Sequence, residues 1–201
     1  QLRSRLQHHD RVTYLFAGSR RSLLADLFSD RKRPFYQFAE HYPLEPIPRR
    51  ELVRYVQGRF RDTEVDVPEE VADGIVAMAC GHPHYTQMLA SRVWELARRG
   101  DRDPDLVPRA LDHLARSQDL SNRRWFESLP ASSRRVALHI ARYGGQHLFS
   151  EATRRQSRLG PASSVQKALL RLTEREDLVR DADGTYRFDD PLLAHWLTGI
   201  E

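Results

Sequence analysis

The sequence predicts a mainly α-helical chain with a short α/β remnant at its N-terminus and a winged helix-turn-helix at its C-terminus. Three observations support this. Apolar residues recur at helical spacing from Arg49 to Ser117 and again from Ala131 to Leu172. Arg11–Gly18, RVTYLFAG, is the clearest strand-like run in the first two-thirds of the chain. From Ala131, three helical stretches precede two short extended pieces joined by Asp181-Ala182-Asp183-Gly184, the order of a winged helix.

The first segment reads as a buried strand, Arg11 to Gly18, closed by glycine, then a short helix from Ser22 to Phe28. One strand cannot make a sheet, so its partners are expected upstream of Gln1. Arg31 to Pro48 carries Pro34, Pro43, Pro46 and Pro48 and is expected to be extended. Leu52, Val53, Val56 and Phe60 mark the first bundle helix. Asp66 to Glu69 marks the start of the second, with Val71, Ile75, Met78 and Ala79 on one face. Gly81 stops that helix and Pro83 starts the next, which carries Tyr85, Met88, Leu89, Val93 and Leu96. Asp103 to Ser117 supplies a fourth through Leu106, Leu111 and Leu114.

The second unit begins near Asp119, with Trp125 and Phe126 in a short helix and Val136, Ala137 and Ile140 in a longer one, Ala131 to Tyr143. Ser150 is a good N-cap for a helix reaching Arg158 and ended by Gly160; Ser163 or Ser164 is expected to cap the next, through Val165, Leu169 and Leu172. The strands are expected at Leu178–Arg180 and Thr185–Phe188. The resulting domains are 1–48, 49–118 and 119–201.

Composition narrows the function classes. A chain of 201 residues, 40% hydrophobic and 30% charged, is that of a folded protein. No apolar run approaches the ~20 residues that span a bilayer, and the polar, basic start lacks a secretory apolar region, so no membrane partner and a cytoplasmic location are expected. The chain opens with Gln1 rather than Met, as a fragment or processed chain would. The single cysteine, Cys80, excludes an internal disulfide. Its place at the end of an amphipathic helix suggests a small buried apolar residue, and its spacing from His82 and His84 matches no zinc site. An excess of four positive charges permits phosphate binding without demanding it.

Several stretches resemble the C-terminal half of archaeal-type and STAND-type AAA+ P-loop ATPases. RVTYLFAGSRRSLLADLF resembles their sensor-1 strand, and RKRPFYQFAEHYPLEPIPRREL their linker into the lid. CGHPHYTQMLA is similar to the Gly-x-Pro lid signature, and FDDPLLAHWL to the closing element of the winged helix. The resemblance covers essentially the whole chain and implies a helical lid followed by a winged helix. It implies ATP and Mg²⁺ as cofactors of the parent protein, none of them held tightly by this segment. It also implies residues near the nucleotide: Ser19 and Arg20 after the strand, and Gly81, His82 and Pro83 at the lid turn. Proline there opens a helix whose N-terminus carries partial positive charge.

The departure from that pattern is large. The sequence has no G-x-x-x-x-G-K-[ST] loop and no strand ending in paired acids to hold Mg²⁺. This chain alone is therefore not expected to hydrolyse ATP; no catalytic or metal-binding residue is assigned, and the first partner implied is a missing N-terminal P-loop core.

The second candidate surface lies on the winged helix. Arg154, Arg155 and Arg158 fall on its second helix. Ser163, Ser164, Gln166, Lys167 and Arg171 fall on its recognition helix, and Arg180 and Arg187 flank the wing. Cations neutralise phosphates and glutamine reads base edges. Against DNA, residues 121–201 hold 13 Arg and Lys but also 10 Asp and Glu, a balance of +3, and Asp181 and Asp183 crowd the wing tip. The partner is therefore protein or DNA, and self-association into a homo-oligomer stays open. Coupling of nucleotide state to that partner is the implied role. The alternatives are a free-standing winged-helix DNA-binding regulator and a protein-interaction module.

Overall fold

A computed structural model of the chain describes residues 2–9, 11–18, 26–40, 46–101 and 103–200. It divides into two compact units, Gln1–Glu45 and Pro46–Glu201.

The first unit holds a short helix, α1 (Leu2–Leu6), and turns. Phe16, Phe28, Phe35 and Phe38 gather into an aromatic cluster with ring centroids 5.1–6.2 Å apart, in tilted and edge-on pairs that suit the ring quadrupoles. Arg3 lies 5.7 Å from the Phe38 ring and donates to the carbonyl of Pro34 at 2.6 Å.

The expected strand is corrected here. Residues 11–18 form no ladder, Leu15 is 94% exposed and Val12 52%. A strand exists only by pairing, and no other described residue of this unit is in a strand. Of the run, Phe16 joins the aromatic cluster. Residues 31–39 are a series of turns rather than an extended segment, closed by the Gln37 amide donating to the Phe28 carbonyl at 3.0 Å. Residues 26–29 are helical, in keeping with the latter part of the Ser22–Phe28 helix; Ser22 and its neighbours lie outside the described residues.

The second unit begins with four helices: α2 (Arg49–Arg61), α3 (Glu69–Met78), α4 (Pro83–Arg98) and α5 (Leu106–Ser117). Their apolar faces meet in one core containing Leu52, Val56, Phe60, Ile75, Leu89 and Val93. Each of these side chains, taken from water, contributes roughly 1.5–3 kcal/mol before conformational entropy is charged against it. Pro68 precedes α3 as its N-cap, so the helix starts past Asp66, at Glu69. Cys80 (φ +52°) and Gly81 (φ +68°) then turn left-handed, and the Gly81 amide donates to the Val76 carbonyl at 2.9 Å, ending α3. Cys80 is exposed on this turn rather than buried as expected.

Helices α6 (Asp119–Ser128), α7 (Ala131–Tyr143), α8 (Glu151–Gln156) and α9 (Ala162–Glu174) follow. Then come the strands β1 (Leu178–Arg180) and β2 (Tyr186–Phe188), and helix α10 (Pro191–Thr198). The strands pair antiparallel with Leu178 opposite Phe188, and Gly184 takes the positive φ of the turn, +87°. Gly145 adds an antiparallel bridge to Tyr186, setting a third chain segment beside the wing. Ser150 caps α8 as expected, accepting from the Thr153 amide at 3.2 Å, but the helix stops at Gln156 because Arg158 goes left-handed (φ +51°). Ser163 and Ser164 lie inside α9 rather than at its cap: Pro161 precedes the helix and its carbonyl accepts from Ser164 and Val165. The second core holds Leu129, Val136, Leu159, Leu172, Leu178 and Leu197, all at most 2% exposed.

Helix α10 belongs to both cores. Leu192 packs among the residues of α2–α5, whereas Leu193, Trp196 and Leu197 pack with α6–α9 and the wing. Its start is fixed by Asp190, whose carboxylate accepts from the Leu192 and Leu193 amides at 2.8 and 3.1 Å, with Pro191 in the first turn.

Leu192→Ala is expected to lower stability by about 2–5 kcal/mol, the range for a buried leucine cut to alanine. In urea unfolding, near-ultraviolet signals from both cores should shift together. A β-carbon on Gly145 would sit 1.9 Å from the Tyr186 carbonyl oxygen, so Gly145→Ala must push the wing aside. Its expected cost is about 1–3 kcal/mol in the same assay.

Candidate functional site

The lid turn and the wing converge on one another. At the start of α4, His82 is the N-cap and its Nδ1 accepts from the His84 amide at 3.2 Å. The rings of His82 and His84 flank Tyr85 with centroids 4.8 and 5.1 Å away. Burial, first, and the nearby carboxylates of Asp190 and Asp189 raise the Tyr85 phenol pKa well above its ordinary value. Desolvation pushes the Cys80 thiol pKa up while Arg187 of β2 pulls it down. Gly81, His82 and Pro83 thus adjoin Tyr85, which meets the residues that launch α10. Ser19 and Arg20 lie outside the described residues.

A polar contact also holds α10 against α6. Trp196 of α10 donates from Nε1 to Asp119 at 2.9 Å, and Arg123 donates to the same carboxylate at 2.8 Å. Arg123 first, then Trp196, hold Asp119 below the usual carboxylate range. Beneath the wing, Trp125 donates to Asp177 at 2.9 Å and Arg175 to its other oxygen at 2.9 Å; burial nonetheless raises the Asp177 carboxyl pKa.

The expected contact residues divide by what occupies them. Arg154 is consumed locally, donating to the carbonyls of Phe149 and Gly160 at 3.2 and 3.3 Å. Arg155 pairs with Glu151 at 2.7 Å, and Arg187 with Asp181 at 3.0 Å. Arg180 lies over the Tyr186 ring at 5.6 Å. On α9, Ser163, Gln166, Lys167 and Arg171 are exposed and Ser164 half-buried, and between them Leu170 is 59% exposed. Arg158 is exposed on the turn after α8. The wing tip is set by Asp183, which accepts from the Thr185 amide and hydroxyl, both at 2.9 Å. The sequence reading passed over Arg135, His139, Arg142 and Tyr143, which recur at helical spacing along one face of α7; that spacing was the available signal. Tyr85–Asp190 and Trp196–Asp119 had none, because both are long-range pairings.

Burial holds His139 below its ordinary pKa of 6.5. The unfolded chain therefore takes up this proton first as pH falls. His139 leaves stability unchanged well above about pH 6.5 and lowers it below that pH. His139→Gln is expected to flatten this part of the stability–pH curve, read from urea midpoints across the titration.

Residues 122–199 match a family model described as a probable winged helix domain. A comparison with curated proteins gives no match. Among solved structures, a Walker-type ATPase of Pyrococcus abyssi is similar in fold, with TM-score 0.63 and 21% identity over 87% of this chain. This chain spans 49% of that protein's length, so the likeness covers about half of it. None of the described helices is long and apolar enough to cross a membrane. Geometry and comparisons agree on a mainly helical chain that ends in a winged-helix domain and shares its fold with part of a Walker-type ATPase.

Proposed function

We propose that residues 49–118 are the helical lid and residues 119–201 the winged helix of an AAA+/STAND-type ATPase. In this reading the segment 1–48 is the remnant of its nucleotide-binding core, and the winged helix couples nucleotide state to a partner. One observation carries the reading: α10 is built into both cores, so a movement of α2–α5 is passed to α6–α9. The fold likeness to a Walker-type ATPase and the winged-helix match support it. Gly81, His82 and Pro83 stand next to Tyr85 and its Asp190 contact, so a nucleotide touching that turn would bear directly on the joint. ATP and Mg²⁺ would be held by a P-loop core outside these residues, and the reaction by that core, in a cytoplasmic protein.

The partner reading follows from occupancy. Arg154, Arg155 and Arg187 already satisfy groups of this chain, and Leu170 stands exposed amid the outward face of α9. That face suits a protein partner better than a DNA groove, which rewards free cations.

The test uses the native full-length polypeptide, recovered with an antibody to this segment. Its mass should lie well above 23.4 kDa, and it should bind ATP. His82→Ala with Pro83→Ala should weaken ATP binding by about tenfold, the loss of one charge-assisted contact. A 23.4 kDa polypeptide that binds no ATP, or ATP affinity unchanged in the double variant, would contradict the reading.

A further inference from the structure

Within the winged-helix domain, α7 and the turn after α8 flank a cleft of about 250 Å³ that includes Arg158 of the sequence-assigned contacts. Arg135, His139, Arg142 and Tyr143 line it from α7, at steps of four, seven and eight residues along one helical face. Ser157 and Arg158 line it from the turn, where the left-handed Arg158 (φ +51°) ends α8. Arg135, Arg142 and Arg158 are exposed, and Tyr143 is 71% exposed, a large aromatic surface to leave in water. The described residues lining the cleft include no carboxylate, and no ion pair occupies Arg135 or Arg158 among the described residues. Arg142 donates one N–H to the Ile200 carbonyl, which fixes its guanidinium and leaves its other donors for a ligand.

The floor is built rather than incidental. His139 is buried to 8% exposure and shares a 2.7 Å hydrogen bond between Nδ1 and Ser157 Oγ, which leaves Nε2 as the ring's second polar atom. Its ring lies 5.3 Å from that of Tyr143. Three guanidiniums around an aromatic face that stays open match the demands of an unpaired nucleic-acid strand: cations track the phosphodiesters while a base stacks on the ring. A duplex offers the phosphates but keeps its base faces stacked away.

We infer that the cleft between α7 and the α8–α9 turn binds single-stranded nucleic acid, with Arg135, Arg142 and Arg158 on the phosphates and Tyr143 under a base. This surface is separate from the outward face of α9, and the inference stands whether or not the chain serves an ATPase.

The test is fluorescence anisotropy of the chain with a labelled ~15-nucleotide oligothymidylate, and with a duplex of the same length, across a salt series. Arg135→Ala and Arg158→Ala should each weaken single-strand binding several-fold and lower the salt slope by about 0.7, the share of one phosphate contact. Tyr143→Ala should weaken it about tenfold and Tyr143→Phe restore it, with the duplex unaffected by either. Lys167→Ala with Arg171→Ala on α9 should leave it unchanged. Because these side chains are exposed, thermal melts should match the parent chain. Single-strand affinity unmoved by the three cleft variants would overturn the inference. So would a loss confined to the α9 variant, or Tyr143→Ala acting equally on duplex and single strand.

Discussion

Everything between Pro46 and Ile200 depends on one eight-residue helix, Pro191–Thr198, being shared by two hydrophobic cores. Leu192 is buried with α2–α5, and Trp196 and Leu197 with α6–α9. So short a helix would not persist alone in water, where helices under a dozen residues are marginal. It persists because both faces are packed and its first turn is pinned by Asp190. The dependence is mutual: each core lacks part of its wall without α10.

The polar contacts around α10 act as orienting devices rather than as large stabilisers. Trp196 reaches Asp119 at the beginning of α6, and Tyr85 of α4 reaches Asp190 at the beginning of α10. Each carboxylate has a further duty, Asp119 pairing with Arg123 and Asp190 capping α10. The carboxylate that launches α10 thus lies close enough to the Tyr85 phenol of α4 to raise its pKa.

The parts of this fold visible in the sequence are those set by near neighbours. Helix α7 runs from Ala131 to Tyr143 as its apolar spacing predicts, Ser150 caps α8, and Asp183-Gly184 makes the wing turn. These depend on one helical face, one hydroxyl and one positive φ. Arg11–Gly18 reads as a strand because its residues favour one, yet pairing is supplied by another segment, and none is present among the described residues. Ser163 and Ser164 look like caps, but Pro161 fixes the start of α9 ahead of them. Cys80 looks buried by type and is exposed by its left-handed turn. The basic residues of the winged helix were identifiable, but their availability was not, because Glu151, Asp181 and two backbone carbonyls claim Arg155, Arg187 and Arg154 only in three dimensions.

Native-state hydrogen exchange shows whether the two cores form one cooperative body through α10. Amides of Leu89 and Val93 in α4 report one core, and those of Leu169 and Leu172 in α9 the other. Opening free energies for the two sets should agree within about 1 kcal/mol and fall in parallel as denaturant is added. A winged helix that opens at a clearly lower free energy than α2–α5, with its own denaturant dependence, would instead show two separately stable bodies.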